Sequence, residues 1–566
     1  MIKENSPNPQ FFRNALTNLD GKWKFSSQSV EGANDIMVPF APESKLSGIG
    51  YTDYITECEY EREFDISEPF ANERLVIKFG AVNYEAKVFL NGEAVGEHRG
   101  GYTPFECDIT AAARVGKNVL RVLVKNDLFA NVPSGKQSRE KESHGCFYTR
   151  VTGIWQSVWL ERTPKDYIKS VKFYPNVKNS SVKAEVTAEG DGEAVISVFY
   201  NGVKVGGSGG YMKCKAAFDI PLSETHLWEA GAGRLYDVTV KFKDDEIESY
   251  FGLREVGYDG LKFLLNGKTL FQRLVLDQGY YPDGLYTAPD DETLKRDIDL
   301  SLRLGFNGAR LHQKVFDPRF LYHADKAGYL VWGEFPSWGV GYYDLSALGA
   351  FTGEWTEAVE RDFNHPSIIT WCPLNETWCS LYDDKKVRDV RFVDAIYALT
   401  KILDGTRPCL DVSGGYHGHK TDVYDYHDYG SPEDVEKRLK EIEKEDKMDV
   451  PALYAPDFAN EGNLRYQKGL PINVSEYGGV IYDAQTENGW GYTKCGSEKD
   501  FIDRYVRLTQ AVLNADKVSG FCYTQLYDVE QEQNGLYTYE RKDKFTEDGI
   551  KAIAACNSGI AAIENK

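Results

Sequence analysis

The sequence has no continuous run of about 18 apolar residues, the length that a helix needs to cross a membrane. The first residues, Met1 to Pro9, also lack the apolar core of a secretory signal. Basic residues are in deficit, because 66 Lys and Arg stand against 87 Asp and Glu for a formal net charge of −21. We therefore expect neither nucleic acid nor a membrane as a partner.

Closely spaced cysteines are absent too. The ten cysteines are scattered along the chain, and none forms a CxxC pair. Such thiols are typical of a reducing compartment, so with the missing signal they predict a cytoplasmic protein. His417 and His419 flank a glycine, but no third ligand stands at a spacing that suits zinc. We expect these two histidines in a solvated loop, and we expect no metal and no cofactor.

A chain of 566 residues is too long for one hydrophobic core, so about three domains are expected. Residues 1–165 alternate strand-like runs with Gly, Asn and Asp turns, and Asn91-Gly92 is a hairpin signal. This pattern predicts a jelly-roll β-sandwich. Residues 166–255 again contain only short strands, which suggests an immunoglobulin-like β-sandwich.

Residues 256–566 follow a different order, in which strands alternate with helices. This alternation, with a count of eight strands, predicts a (β/α)8 TIM barrel. The eight candidate strands are Gln272–Asp277, Asn307–His312, Tyr329–Phe335, Ile368–Asn375, Cys409–Ser413, Asp422–His427, Ile472–Glu476 and Gly520–Gln525.

Two helices of this barrel can be placed from their patterns. Leu294, Ile298 and Leu302 recur every fourth residue and predict one apolar helix face, with Asp290 or Asp291 as the cap and Gly305 as the end. The charged stretch Glu433–Lys447 predicts an exposed helix in the long connection between strands six and seven.

Two of the predicted strands end in glutamate. The fourth ends in Asn375-Glu376, and the seventh ends in Ser475-Glu476. Polar residues at the carboxyl ends of barrel strands point into the active-site mouth. Hydrolysis of a glycosidic bond requires two carboxylates placed in this way. A lone glutamate at a strand end is more often a salt-bridge partner, so the pair carries the prediction.

Several motifs resemble those of one family across nearly the whole chain. They are Gly100-Gly-Tyr-Thr-Pro-Phe-Glu-Cys-Asp-Ile109, Gly153-Ile-Trp-Gln-Ser-Val-Trp-Leu-Glu161, Phe251-Gly-Leu-Arg254, Asn364-His-Pro-Ser-Ile-Ile369, Asn375-Glu376 and Ser475-Glu-Tyr-Gly478. On these residues the sequence resembles glycoside hydrolase family 2, the β-galactosidase and β-glucuronidase group. The resemblance implies a sugar-binding-like jelly roll, an immunoglobulin-like domain, a catalytic barrel and retaining exo-hydrolysis of an oligosaccharide or glycoside.

The resemblance also implies roles for individual residues. Glu376 would be the general acid/base and Glu476 the nucleophile, with their carboxyl groups roughly 5–5.5 Å apart. Asn375 would bond the 2-hydroxyl of the sugar. Tyr477, beside the nucleophile, would either donate a hydrogen bond to it or pack in the core.

The ends of other barrel strands supply further candidates. Asp277, at the end of strand one, is expected to accept hydrogen bonds from sugar hydroxyls, and His427, at the end of strand six, is a candidate substrate contact. Tyr523 and Gln525 on strand eight would form the sugar floor or else pack in the core.

Strands two and three end in a group of polar residues. We predict Arg310 as a structural anchor for the carboxylates and His312 as a substrate contact. Glu334 either lines the site or holds Arg310 from behind.

Departures from the family pattern bear on the substrate. Where β-glucuronidases carry an Asn-x-Lys pair after strand eight, this sequence reads Glu532-Gln-Asn534, without the lysine. A glutamate there would repel a uronate, so we expect a neutral sugar, with a β-galactoside first. A β-glucuronide and a furanoside (β-galactofuranose or α-L-arabinofuranose) stay open. A non-catalytic carbohydrate-binding protein is the rival from another class, and a homo-oligomer is neither predicted nor excluded.

Overall fold

A computed structural model describes residues 6–32, 34–377, 389–445, 469–482 and 489–565. Across these ranges no helix combines the length and the apolar character that a membrane crossing needs. The first half of the chain consists mainly of short strands. Helices begin to alternate with strands only after residue 270.

The first part of the chain contains two main antiparallel sheets, of order β1-β12-β5-β9 and β3-β2-β4-β10-β7-β8. Their facing surfaces share one apolar core that includes Trp23, Tyr60 and Val122. The predicted jelly-roll sandwich is therefore confirmed. Its strands are β1 Leu16–Asn18, β2 Gly21–Ser26, β3 Asp35–Val38, β4 Glu57–Ile66, β5 Glu73–Phe79, β6 Val82–Asn83, β7 Glu85–Leu90, β8 Glu93–Arg99, β9 Phe105–Asp108, β10 Gly116–Lys125, β11 Gly153–Ile154 and β12 Val158–Pro164.

The hairpin signal at Asn91-Gly92 connects β7 to β8, as predicted. Both residues have positive φ, 53° for Asn91 and 92° for Gly92. Two positive φ values in a two-residue loop match the twist of the flanking strands, and Asn and Gly tolerate them best. The Asn91 amide further donates to the carbonyl of Ala112 at 2.9 Å, which ties the turn to the next loop.

The second part is a sandwich of a three-stranded sheet, β13-β14-β17, on a four-stranded sheet, β16-β15-β18-β19. Alternate residues of β15 and β18, such as Ile196 and Val240, are fully buried between the two sheets. This arrangement confirms the immunoglobulin-like sandwich. Its strands are β13 Ile168–Asn176, β14 Ser181–Ala188, β15 Gly192–Tyr200, β16 Val203–Met212, β17 Lys215–Pro221, β18 Tyr236–Phe242 and β19 Asp245–Phe251.

The third part is built around a parallel sheet of order β26-β25-β24-β23-β31-β28-β27. Its strands are buried on both faces, as parallel strands covered by helices must be. The elements are β20 Val256–Asp259, β21 Lys262–Leu265, β22 Lys268–Thr269, β23 Gln272–Asp277, α1 Asp291–Arg303, β24 Gly308–Leu311, α2 Pro318–Ala327, β25 Leu330–Glu334, α3 Leu348–Asp362, β26 Ile368–Cys372, α4 Val390–Leu403, β27 Tyr424–Asp428, α5 Pro432–Glu445, β28 Ile472–Gly478, β29 Val480–Ile481, β30 Thr493–Lys494, α6 Glu498–Leu513, β31 Val518–Thr524 and α7 Glu547–Asn557.

The predicted fifth barrel strand, Cys409–Ser413, is not a regular strand. It forms only isolated parallel bridges, from Cys409 to Trp371 and from Ser413 to Asn375. On its other side the backbone N–H of Gly414 donates to the carboxylate of Asp425 instead of continuing a ladder. The segment still fills the gap between β26 and β27, so the barrel closes there through irregular contacts.

The two predicted helices exist, and each differs from expectation on one point. In α1, Asp290 caps the first turn and Gly305 follows its end, but Leu302 is 36% exposed. Eight residues advance a helix by roughly 80° beyond two full turns, so Leu302 has rotated away from the buried face of Leu294. In α5 the charged stretch buries Val435 and Leu439, so only one of its faces is exposed.

Candidate active site

Glu376 and Glu476 meet in one place. Each offers one carboxylate oxygen to a cluster with a ring nitrogen of His427, and these three atoms lie within 4.8 Å of one another. Glu376 follows β26 after a short loop, whereas Glu476 lies inside β28. These strands stand apart in the sheet order, and closure of the barrel brings their carboxyl ends together.

A bulge in β28 aims the Glu476 side chain inward. The register between β28 and β31 shifts between Val474 and Tyr477. Two residues of β28, Ser475 and Glu476, therefore stand opposite one residue of β31, as in a β-bulge. As a result Ser475 and Glu476 both contact groups of the barrel interior. Tyr477 faces the other way, and its hydroxyl bonds Thr509 of α6 at 2.9 Å.

The backbone of residues 413–415 packs against the loop that carries Glu376 and holds it in place. Glu376 itself has φ 44°, and its N–H donates to the carbonyl of Ser413 at 2.9 Å. Gly415 lies so near that a Cβ there would stand 3.2 Å from the Cα of Glu376. A Cβ on Gly414 would stand 2.6 Å from the ring of His427. Glycine is needed at both positions because the 413–415 segment packs directly behind the two side chains.

Arg310, at the end of β24, connects most of the predicted site. Its guanidinium donates to Glu476 Oε1 at 2.7 Å, to Glu334 Oε2 at 2.5 Å and to Asn375 Oδ1 at 2.5 Å. The side chains of Arg310 and Glu334 are fully buried. His312 lies beneath the same cluster, with Nδ1 2.9 Å from Glu334 Oε1. Glu334 thus holds Arg310 and His312 from behind.

The charges in this cluster set which groups are ionised. Burial raises the pKa of Glu476, but His427 and Arg310 outweigh it, so that the pKa lies well below its usual range. For His427, burial lowers the pKa, yet the two glutamates overcome this and raise it. Its Nδ1 is 2.7 Å from Glu376 Oε1, and its Nε2 is 3.5 Å from Glu476 Oε1. His427 and Arg310 therefore both favour the ionised form of Glu476.

Asn375 is fixed on three sides and open on one. Its N–H donates to Ser337 Oγ at 3.1 Å, its carbonyl accepts from Trp338 Nε1 at 3.3 Å, and its Oδ1 accepts from Arg310. The Nδ2 amide group is buried and has no hydrogen-bond partner in the part of the chain that the structure describes. A buried donor without a partner is costly unless a ligand accepts from it.

The structure does not bring Asp277, Gln525 or Tyr523 to the two glutamates by any described contact. Asp277 accepts from the N–H of Gly279 and the hydroxyl of Tyr527, and burial raises its pKa to about 6. Gln525 bonds Gln278 and Asn534. Tyr523 packs on Tyr477 and Tyr505 between sheet and helices.

The prediction of a solvated loop was wrong for His417. Only His419 is exposed, whereas His417 is 1% exposed, with Nδ1 2.8 Å from Asp411 Oδ1 and Nε2 3.0 Å from the carbonyl of Asp425. Asp425 in turn accepts from Ser475, next to Glu476. His417 therefore belongs to the structure behind Glu376 and Glu476.

Two family models match this chain. One, for the sugar-binding domain of glycosyl hydrolases family 2, covers residues 50–164, and the other, for the TIM barrel domain of the same family, covers residues 260–485. The chain belongs to glycoside hydrolase family 2. Both models fall where the structure has the jelly roll and the barrel, so the family predicted from the motifs is confirmed.

Curated relatives of this family 2 chain carry two names. A beta-glucuronidase of Streptococcus agalactiae is 27% identical over 405 residues, covering 63% of this chain and 66% of the relative. A beta-galactosidase of Thermoanaerobacterium thermosulfurigenes is 26% identical over 494 residues, covering 82% of this chain and 63% of the relative. The chain thus spans less than two thirds of the length of these relatives.

Solved structures of the family share the fold over nearly their whole length. A Bifidobacterium dentium beta-glucuronidase complexed with coumarin-3-O-glucuronide has a TM-score of 0.79 at 20% identity, with 98% of this chain and 99% of that chain covered. A beta-galacturonidase of Eisenbergiella tayi bound to galacturonate has a TM-score of 0.76 at 22% identity, with 99% and 100% covered. At such identities the likeness concerns the fold alone.

Sequence reasoning missed several residues of this family 2 site. Tyr429 donates its hydroxyl to Glu476 Oε2 and stacks on Tyr492 at 3.4 Å between ring centroids. Ser413 Oγ lies 3.0 Å from His427 Nε2. The proximity of Tyr429 to the end of strand six was the available signal, since it follows His427 by two residues. Nothing local marked Tyr492, which lies on a separate loop.

The cluster of Glu376, His427 and Glu476 also has the spacing of a metal site. Its contacts argue otherwise, because Arg310 already compensates Glu476 at 2.7 Å, and both ring nitrogens of His427 are engaged, by Glu376 and by Ser413. A cation placed among them would add to positive charge that is present. We therefore assign no metal to this cluster.

Proposed function

We propose that this chain is a retaining exo-glycosidase that removes one terminal sugar, with Glu376 as general acid/base and Glu476 as nucleophile. The observation that carries the proposal is the separation of the two carboxylates, whose nearest oxygens lie within 4.8 Å. Retaining enzymes have carboxyl groups about 5–5.5 Å apart, and inverting enzymes need about 6.5–9.5 Å to admit water. The spacing supports direct attack by one carboxylate.

In the first step Glu476 attacks the anomeric carbon while Glu376 gives its proton to the leaving oxygen. Arg310 and Tyr429 both donate to Glu476, so they keep it ionised and fix the direction of attack. In the second step Glu376 takes a proton from water, which attacks the glycosyl-enzyme and releases the sugar. Glu376 suits both steps because its side chain is 17% exposed, so water can reach it.

Asn375 and His427 have different places in this scheme. The unpartnered Nδ2 of Asn375 supports a hydrogen bond to the 2-hydroxyl, a contact that strengthens in the transition state. Both ring nitrogens of His427 are engaged, by Glu376 and by Ser413. We therefore assign His427 to positioning the acid/base, and Arg310, His312 and Glu334 to supporting the nucleophile.

The sugar is a neutral hexose in this proposal, with a β-galactoside first. Its basis is the segment Glu532-Gln-Asn534, which lacks the lysine of the Asn-x-Lys pair that the family's glucuronidases carry after strand eight and instead has a buried glutamate. The names of the curated relatives favour β-glucuronide as the second candidate. Hydrolysis of nitrophenyl β-galactoside, β-glucuronide and furanosides under one set of conditions ranks them directly.

The catalytic assignment is tested by trapping the glycosyl-enzyme. A 2-deoxy-2-fluoro-galactosyl fluoride should label Glu476, as found by peptide mass spectrometry, and Glu476→Gln should abolish both labelling and turnover while sugar binding remains. A label on another carboxylate would overturn the assignment of the nucleophile. A protein that binds sugars and hydrolyses none would support the non-catalytic alternative.

A further inference from the structure

A loop of the jelly roll reaches into the barrel beside the active site. It connects β10 to β11, and at its centre the N–H groups of Ser134 and Gly135 donate to the carbonyl of Trp338 at 2.8 and 3.1 Å. A Cβ on Gly135 would stand 2.4 Å from the carbonyl oxygen of Gln313, so the loop backbone packs directly on the barrel. The next residue is Lys136, whose position is fixed by these contacts.

The Lys136 ammonium is buried and short of hydrogen-bond partners. Its side chain is 6% exposed, and its nitrogen is 3.6 Å from Glu532 Oε2 and 3.5 Å from the hydroxyl of Tyr148. An ammonium carries three N–H donors, and among the described residues only Tyr148 comes within hydrogen-bond distance, at its outer limit. Burying a cation in this state is unfavourable unless a ligand completes its shell.

Trp338 connects Lys136 to the Asn375-Glu376 pair. Burial lowers the pKa of Lys136, but the charges of Glu532, Cys146, Glu476 and Glu376 outweigh it and raise the pKa. Its nitrogen also lies 5.7 Å from the centre of a Trp338 ring, and that indole donates to the carbonyl of Asn375. One side chain therefore separates Lys136 from the Asn375-Glu376 pair.

Both carboxylate oxygens of Glu532 have donors within the protein. Tyr148 donates to Oε2, and Asn534 donates to Oε1 at 3.2 Å, so these bonds hold the carboxylate beside Lys136. Its role is to compensate the charge of Lys136. What the pair presents to a ligand is a set of N–H donors with no net charge, which suits a hydroxyl oxygen better than a carboxylate.

We propose that Lys136, supplied by the jelly-roll domain, binds substrate by donating to a hydroxyl oxygen of the neutral sugar held against Glu376 and Glu476. This inference rests on the proposed function, since it deepens the recognition at the same site. It makes the first domain part of the substrate pocket and a determinant of which sugar is accepted.

The test is kinetic and uses the whole chain. Lys136→Met alone would leave Glu532 buried without its cation, so Lys136→Met/Glu532→Gln is the main variant and keeps the site neutral. On nitrophenyl β-galactoside we expect kcat/KM to fall about 10- to 100-fold, the loss typical of a hydrogen bond to a charged donor. Lys141→Met is the matched control, because Lys141 lies on the same loop, is 70% exposed and pairs with Asp53.

Monodeoxy galactosides identify the contact. One of the 3-, 4- and 6-deoxy substrates lacks the hydroxyl that Lys136 binds, and on it wild type and double variant should have equal kcat/KM. On the other two deoxy substrates the double variant should show the same fall in kcat/KM as on the complete galactoside. An equal loss on all substrates, or none, would overturn the proposal. A loss confined to the glucuronide would also overturn it, in favour of carboxylate recognition.

The outcome for the catalytic proposal is separate. If wild type hydrolysed no glycoside, the assigned mechanism would fail, and calorimetric titration with galactose and its deoxy analogues would decide on Lys136. The contact would be supported if the double variant bound galactose more weakly than wild type did, while both proteins bound one of the deoxy analogues equally well. Identical binding curves would refute it.

Discussion

Arg310 donates to Glu476 across 2.7 Å, with its own side chain fully buried and that of Glu476 6% exposed. The same guanidinium also holds Glu334 and Asn375, so one planar group sets the position of Glu476 and of the residue before Glu376. The side-chain oxygens of Glu476, Glu334 and Asn375 that accept from it lie at three different strand ends. An ammonium cannot reproduce this geometry, because it lacks the planar fork.

Arg310→Lys should therefore lower kcat about 10²- to 10³-fold, as loss of preorganised electrostatic contacts does in other active sites. It should also move the acidic limb of the pH–rate profile upward. Arg310 helps hold the pKa of Glu476 down, so without it the carboxylate takes up a proton at higher pH, and activity is lost sooner as pH falls. The pH dependence of kcat/KM measures this shift.

Arg303→Lys is the control for that experiment. Arg303 lies on α1 and pairs with Asp543 and Glu547 at the surface, with 37% of its side chain exposed. Its replacement should leave both the rate and the pH profile unchanged. An unchanged acidic limb in Arg310→Lys would show that the guanidinium does not govern the ionisation of Glu476.

For two tyrosines near Glu476 we expect opposite effects of replacement by phenylalanine. Tyr429→Phe removes a hydrogen bond to Glu476 Oε2 and should lower kcat about 10- to 100-fold. Tyr477→Phe removes only the bond to Thr509, on the far side of β28, and should leave kcat within about twofold. Steady-state rates on nitrophenyl β-galactoside distinguish them. If Tyr477→Phe were the slower enzyme, the neighbour in sequence would be the donor after all.

These tyrosines also show how far the sequence could lead. The glutamates were predictable because they end buried strands, and the carboxyl ends of parallel strands meet at one face. The direction of Tyr477 was not, because it depends on the bulge at Ser475 and Glu476. Lys136 and Tyr492 come from loops distant in the chain, and no local pattern shows which loops a closed barrel will meet. The prediction that Leu302 lies on the buried face of α1 was wrong for a simpler reason. Residues four apart are offset by about 40° around a helix, so a run with this spacing turns away from one face.

Glu376→Ala should show a loss that depends on the leaving group. Without an acid, a poor leaving group such as methanol departs slowly, whereas dinitrophenolate needs little protonation. We expect kcat/KM for methyl β-galactoside to fall at least about 100-fold more than that for the dinitrophenyl compound. Azide should restore release of the glycosyl-enzyme as a β-galactosyl azide. Equal losses on both substrates would assign the acid to another residue.

His417 predicts a pH dependence of stability. Burial lowers the pKa of its imidazole, but Asp411 and Asp425 outweigh it and raise the pKa to about 9, above the unfolded value of about 6.5. The stabilisation is thus complete below pH 6.5 and is lost as pH rises toward 9, by at most about 3 kcal/mol. His417→Gln should lower the free energy of unfolding at pH 6 and flatten its decline up to pH 9, as measured by urea titration.

His419→Gln is the control, because His419 pairs with Asp394 at the surface with 69% of its side chain exposed. A decline as steep in His417→Gln as in wild type would mean that this imidazole is not charged in the folded protein.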